Sequence, residues 1–308
     1  MQKFFDYFRK YSMPLVFITG FSFLVIRGTL NSRFATSTLL YLLIPFFISV
    51  LIYFFTGRMK SGSVGAMYIN HLRDTTIVFL LTSAFLMEGF LCVLMFMPIY
   101  YFMVTIAFLF AFLLRDRSKH KAMSLPVIVL LLSVEGLTPQ TTFPRHNLAT
   151  YVVETPLDID TLKQNMAAKI SMPKKRGWFL RLFPLPDKIR AGTLGEGDVH
   201  NLHFTYKKWG FGNFARGEMD ILISQVSDNH IQTRITKNTA YLSHYMNIEG
   251  TEVHFRALEN GKTQVSLTVK YERLLDPFWY FGPMQKLAAK QSAKYLVDTI
   301  ITKEAFNG

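Results

Sequence analysis

The order of apolar and polar positions divides this 308-residue chain near Gly136. Upstream, apolar residues run on without period over lengths that suit a bilayer. Downstream, they alternate with polar residues over short stretches broken by turn signals. A spanning helix needs about 20 apolar residues, and Thr38 to Phe55 nearly supplies them between Arg33 and the pair Arg58, Lys60. Thr75 to Leu114 is 40 residues long with one charged side chain, Glu88. At 1.5 Å per residue that run would cover about 60 Å, two hydrocarbon thicknesses, so it must fold back. Pro98 offers the break, and Tyr100 and Tyr101 beside it suit a headgroup interface. Met13 to Ile26 and Ala122 to Val134 are shorter apolar stretches, the second with Pro126 inside it. The pattern predicts an all-α polytopic membrane domain over 1–137, with four or five helices near 11–30, 37–56, 75–96, 98–115 and 122–137. A linker at 138–147 and a soluble domain over 148–308 follow.

In that second half, Ala149 to Glu154 reads as a strand, and Asp158 or Asp160 caps a helix to about Ile170 with Leu162 and Met166 on one face. Short strands then succeed one another. Leu202, Phe204 and Tyr206 share a face, as do Met219, Ile221 and Ile223; Ile231, Thr233 and Ile235; Val253 and Phe255; and Val265, Leu267, Val269 and Tyr271. Polar residues occupy the alternate positions, so the sheet is antiparallel with one side in water. Asn260-Gly261 marks a hairpin between the last two strands. Pro277 and Pro283 open a long helix to about Thr302, with Ala289, Ala293, Leu296 and Ile300 along one stripe. One long helix across a curved antiparallel sheet buries these faces economically, which is an α+β architecture. The small residues Ala289 and Ala293 leave room beneath the helix for an apolar cavity.

Net charge is +13, with +7 in residues 1–137 and +6 in the rest. Three basic clusters, at Lys3 to Lys10, Arg58 to Arg73 and Arg115 to Lys121, fall on one side of the membrane if the N-terminus is cytoplasmic. This implies a multi-pass protein of the cell (inner) membrane. With five spans the soluble domain is non-cytoplasmic, the favoured expectation; with four it is cytoplasmic. In the second half both signs are interspersed, and no basic block carries base-stacking aromatics, which argues against nucleic-acid binding. Cys92 is the sole cysteine, so an internal disulfide or a cysteine zinc cluster is excluded. His200 and His203 fall on opposite strand faces, and nothing in the pattern calls for a metal or cofactor.

The block Gly261-Lys-Thr-Gln-Val-Ser-Leu-Thr-Val-Lys-Tyr-Glu-Arg, followed by Phe278 to Ile301, resembles the end of START-like helix-grip domains of the polyketide cyclase/dehydrase type, the SRPBCC superfamily. Gly197-Asp198-Val199 is similar to that family's step into its second strand. The resemblance spans about Arg145 to Ile301. It implies a deep apolar cavity between sheet and C-terminal helix, binding lipids, sterols, polyketides or other hydrophobic molecules. It brings no shared catalytic motif.

The strand residues expected to line such a cavity are Phe204, Tyr206, Met219, Ile221 and Ile235, then Phe255, Leu267, Val269 and Tyr271. Ala289 and Ala293 would close it from the helix. The leading expectation is therefore binding, transfer or sensing of a lipid-like ligand at a bilayer. The alternatives are a membrane-tethered cyclase or dehydratase, with Tyr206, Tyr271 and His200 as its acid and base groups, and an assembly subunit whose cavity its own side chains fill. Lys174 to Arg190 and Lys207 to Phe214 interleave aromatics with cations, a composition suited to headgroups. Trp178, Phe179, Phe183, Trp209 and Phe211 are the expected membrane-docking residues. Glu88, a carboxyl in a lipid-length run, is an intramembrane polar candidate, either functional or a protonated acid bonded to a neighbouring helix.

Overall fold

The computed structural model describes residues 38–55, 63–85, 90–115, 119–136, 138–168, 170, 172–173, 175–209 and 212–303. The expected helix near 11–30, Glu88 and Phe211 lie outside these, as does the side chain of Trp209. The chain forms two compact units, one of residues 1–143 with 276–280 and one of residues 144–275 with 281–308.

In the first unit a π-helical turn, Leu39–Leu43, leads into α1, Ile44–Phe55. Helices α2, Val64–Phe85, α3, Phe90–Arg115, and α4, Lys119–Leu132, follow. Among the described residues one helix, through Val93–Leu113, is long and apolar enough to cross a membrane; the apolar stretch Tyr41–Tyr53 is shorter. The expected break at Pro98 is absent, because Pro98 lies inside α3. Proline removes one backbone donor without ending a helix whose neighbours hold it in place. Tyr100 and Tyr101, expected at an interface, instead join α2 and α3. The Tyr100 hydroxyl donates to the Thr75 carbonyl at 2.8 Å, and that of Tyr101 lies 2.9 Å from Thr76 Oγ1. Nearby, His71 Nε2 meets Ser49 Oγ at 2.8 Å under the rings of Tyr53 and Phe108. Hydrogen-bonded side chains thus occupy the interior of this unit, while Ile69, Leu81, Val127 and Leu131 are among the apolar residues on its outside.

Residues 276–280 return to this unit. Glu135 Oε1 accepts from the Phe278 backbone N–H at 2.7 Å, and the Tyr280 hydroxyl donates to the Met95 carbonyl at 2.6 Å. Phe143 stacks on Phe278 with centroids 5.3 Å apart. Gly136 takes φ of +85° where a Cβ would collide with the Asp276 carboxylate, so glycine is required twice over.

The second unit carries β1, His146–Thr155, α5, Ile159–Ala167, and β2, Lys188–Arg190. Strands β3, Val199–Trp209, β4, Gly212–Val226, and β5, His230–Asn238, come next. Then β6, Met246–Ala257, and β7, Thr263–Arg273, precede α6, Phe278–Leu296, which ends in a π-helical turn, Val297–Ile301. The seven strands form one antiparallel sheet in the order β1-β7-β6-β5-β4-β3-β2. An antiparallel sheet followed by a long C-terminal helix is what the alternation predicts, and it fits the helix-grip fold that the resemblance implies.

Register shifts in β4 at Asp220/Ile221 and Ile223/Gln225, and in β6 at Ile248/Gly250, bend the sheet. Gly250 sits where a Cβ would strike the Thr233 carbonyl oxygen, so the bend depends on the missing side chain. Asp158 caps α5, its carboxylate accepting from the Thr161 N–H at 2.7 Å. Leu162, on that helix, is fully buried. The main core joins Val253, Phe255, Val265, Leu267, Val269 and Tyr271 to Ala289 and Ala293 of α6. Its helical stripe shifts phase at the end. The π-helical turn turns Val297 and Ile301 inward in place of the expected Leu296 and Ile300, which are partly exposed.

Candidate functional site

The eleven residues expected to line one cavity separate into two groups. Phe255, Leu267, Val269, Tyr271, Ala289 and Ala293 are sealed, between 0 and 3% exposed, in the core beneath α6. The larger side chains of Leu162, Ile231, Val297 and Ile301 belong to the same buried cluster as the two alanines. Phe204, Tyr206, Met219, Ile221 and Ile235 form the other group, with Leu202 and Ala240, on the same sheet across β3, β4 and β5. Ala240, Leu202, Phe204 and Met219 are 4 to 9% exposed, and Tyr206, Ile221 and Ile235 are only partly buried. Ile248 touches both groups.

The uneven cover of the sheet follows from strand register and from what packs above each face. The register of β3 on β4 pairs Leu202 with Met219 and Tyr206 with Ala215, and β4 on β5 pairs Ile221 with Ile235. These pairs project a continuous apolar face. Among the described residues, the irregular chain around Met172 packs on this group and on the pair Leu180, Tyr295. The Tyr295 hydroxyl donates to the Pro173 carbonyl at 2.7 Å and ties that chain to α6. Exposed apolar area costs about 25 cal/mol per Å², so a face left partly open is a standing opportunity for an apolar partner.

Polar groups edge this face. Tyr241, in the short helical turn Tyr241–His244, sets its ring 4.9 Å from that of Tyr206 and 5.5 Å from that of Tyr245. Gln285, one turn before Ala289 on α6, is buried and donates Nε2 to the Tyr245 carbonyl at 2.9 Å. Asn238 stands opposite Met219 in the β4–β5 register, and its Oδ1 accepts from the Ala240 N–H at 3.1 Å. Sequence periodicity could not single out Gln285 or Asn238, because one is a single polar residue within α6 and the other a single polar residue closing β5.

The three groups proposed as acid and base are not gathered. Tyr271 lies in the sealed core and Tyr206 in the open group. His200 and Tyr206 are six residues apart on β3, about 20 Å at 3.3 Å per residue. His200 is occupied at 3.1 Å from the Thr193 carbonyl. Burial pushes the Tyr271 hydroxyl above its ordinary pKa, which keeps it protonated. Among the described residues no three His, Cys, Asp or Glu side chains converge as metal ligands. His203 and His254 face outward, His203 Nδ1 lying 3.5 Å from Glu218. His254 stacks on His230 with centroids 4.3 Å apart, a cross-strand pair that needs the β5–β6 register to be seen.

Of the expected docking residues, Trp178 is 71% exposed, but Phe179 is only 7% exposed and packs at 5.6 Å on the half-buried Phe183. The segment is braced internally: Arg176 Nη2 donates to the Phe183 carbonyl at 2.8 Å and Arg181 Nε to the Arg176 carbonyl at 3.1 Å. It therefore presents one ring outward, beside the exposed Lys175 and Arg181.

No protein-family model matches the chain, and no curated protein matches it. Among solved structures it is similar to a START superfamily protein from Mycobacterium smegmatis, at 12% identity over 51% of this chain and 95% of that one, with a TM-score of 0.35. It is also similar to norcoclaurine synthase from Thalictrum flavum in complex with dopamine and hydroxybenzaldehyde, at 12% identity over 52% and 90%, with a TM-score of 0.32. A third is Ara h 8.0201, at 12% identity over 51% and 99%, with a TM-score of 0.30.

Proposed function

We propose that this chain binds a hydrophobic, lipid-like ligand on the apolar face of β3, β4 and β5, for transfer or sensing at a membrane that its first unit occupies. The observation that carries the binding is the contrast between the two apolar groups. One is closed by α6 and the other, of like composition, is only partly covered. A side chain such as Ile221, half in water, gains from an apolar partner what Ile231 already has from its neighbours.

Membrane attachment has separate support. Large apolar side chains are exposed on the outside of the first unit while Ser49, His71, Thr75 and Ser133 are buried within it, a distribution that a lipid solvent favours. The basic clusters favour a cytoplasmic N-terminus in a cell membrane. A four- or five-span count belongs to this proposal, as does the resulting non-cytoplasmic location of the second unit. Trp178, with Lys175 and Arg181 beside it, is a suitable headgroup contact.

Photolabelling tests the binding. The full chain in vesicles is mixed with a long-chain alcohol carrying a diazirine on its acyl tail, irradiated, and digested. Labelled peptides from 199–226 and 230–238 are expected, with loss of label on Ile221→Trp, which fills the face. Label confined to helices α1 to α4 would overturn the reading.

A further inference from the structure

Two polar atoms beside the open face lack partners, and both are buried. Gln285 is 5% exposed, yet its Oε1 has no hydrogen-bond donor among the described residues. The orientation of the amide is fixed by chemistry, because Nε2 must face the Tyr245 carbonyl; an oxygen turned there would meet another acceptor. Oε1 is thus the free end. Asn238 shows the complementary case. Its Oδ1 is held by the Ala240 N–H, which leaves Nδ2 as a donor, and this buried atom has no acceptor among the described residues.

Both lie at one end of the sheet. Asn238 closes β5 and Tyr245 precedes β6, so the β5–β6 connection carries one residue and receives the other's hydrogen bond. Asn238 shares the face of Met219, its register partner, and Met219 belongs to the open apolar group. Leaving a buried polar atom unmatched is destabilising, and such a cost is sustained where a ligand supplies the missing partner.

We propose that the ligand of this face is a neutral hydroxylated lipid, its hydroxyl read by Gln285 Oε1 as acceptor and Asn238 Nδ2 as donor. A hydroxyl serves both, since it donates one hydrogen and accepts through its lone pairs. An ionised carboxylate meets Asn238 but presents only acceptors to Gln285 Oε1. An alkane meets neither. The tail then lies along Phe204, Met219, Ile221 and Ile235. This inference rests on the ligand-binding reading above and narrows it to one head-group class.

The test is competition in the same photolabelling experiment, with the full chain in vesicles. Hexadecanol, hexadecanoate and hexadecane each compete with the diazirine alcohol for labelling of 199–238. Hexadecanol is expected to compete about tenfold better than hexadecane, the effect of one net neutral hydrogen bond. Gln285→Leu, close in size, is expected to lower that ratio several-fold. Because the readout is a ratio between competitors, a merely structural role for Gln285 leaves it unchanged. Asn238→Leu is the second variant, expected to lower the same ratio. Equal competition by alcohol and alkane, better competition by hexadecanoate, or a native ratio in both variants each overturns the proposal while the binding face stands. Absence of label anywhere in 199–238 overturns both readings.

Discussion

The distinction between a sealed and an open apolar group can be measured with two isoleucines. Ile231 on β5 is fully buried in the core beneath α6, and Ile221 on β4 is partly exposed in the open group. Replacing each by alanine removes the same three carbon groups, so chemistry is held constant and only surroundings differ. At Ile231 the transfer term alone is about 2.4 kcal/mol at 0.8 per methylene, and closed walls add a cavity term, for a total of about 3–4 kcal/mol. At Ile221 part of the side chain is already in water and solvent fills the space left, so the cost is about 1 kcal/mol. With about 2–4 °C per kcal/mol for a domain of this size, Ile231→Ala should lower the midpoint by about 6–16 °C and Ile221→Ala by about 2–4 °C. The assay is thermal unfolding of the full chain in one detergent, followed by tryptophan fluorescence. Addition of the long-chain alcohol should raise the midpoint of the native chain and of Ile231→Ala, and raise that of Ile221→Ala less. Equal losses at the two positions would show that the β3–β5 face is core, and the binding argument would fall with it.

Two further outcomes follow from single side chains. Hydrogen bonds lower three carboxyls below the usual 3.8: the Thr161 N–H at Asp158, the Thr205 hydroxyl at Asp187, and the Thr193 hydroxyl with the Gly195 N–H at Asp198. Each is more acidic folded than unfolded, so its stabilisation is complete above pH 3.8 and disappears as pH falls through the lower folded value; the midpoint difference between native chain and Asp198→Ala should be present at neutral pH and close in strong acid, and a difference that persists there refutes the assignment. For Trp178, the fluorescence lost on Trp178→Phe should be quenched by brominated acyl chains in vesicles containing anionic lipid and less so in zwitterionic ones; a Trp178 signal quenched by neither is not a headgroup contact.

The sheet was legible because each strand keeps one apolar face. The alternation from Val265 to Tyr271 places four buried side chains correctly, and the burial continues to Thr263 and Arg273 at the same period. Buried Arg273 was missed because a charged residue ends the pattern when only apolar residues are counted. Its Nη1 donates to the Leu275 carbonyl at 2.6 Å, which hydropathy does not report. Strand β2 has only three residues and no period to detect. The helical half was harder. Proline signals a break only where no tertiary contact holds the chain, and Tyr100 and Tyr101 tie α3 to α2 within one turn of Pro98. The division of the cavity residues was invisible because it depends on which side chains α6 covers. Alternation gives the face of a strand but not what lies above it.

The return of residues 276–280 to the first unit means that the boundary in space is not a boundary in sequence. Cutting the chain after Phe143 yields a fragment that keeps Phe278 and Tyr280 but not Glu135 or Met95, so the first turn of α6 loses its partner carboxylate and gains bare aromatic surface. Three peptide crossings, at 143–144, 275–276 and 280–281, therefore join the units, and α6 is shared property: one end is specified by residues chosen for the helical unit and the other by residues chosen for the sheet. Substitutions in Phe278-Trp279-Tyr280 should consequently vary together with those near Glu135 and Met95, and not with the strands they adjoin in sequence.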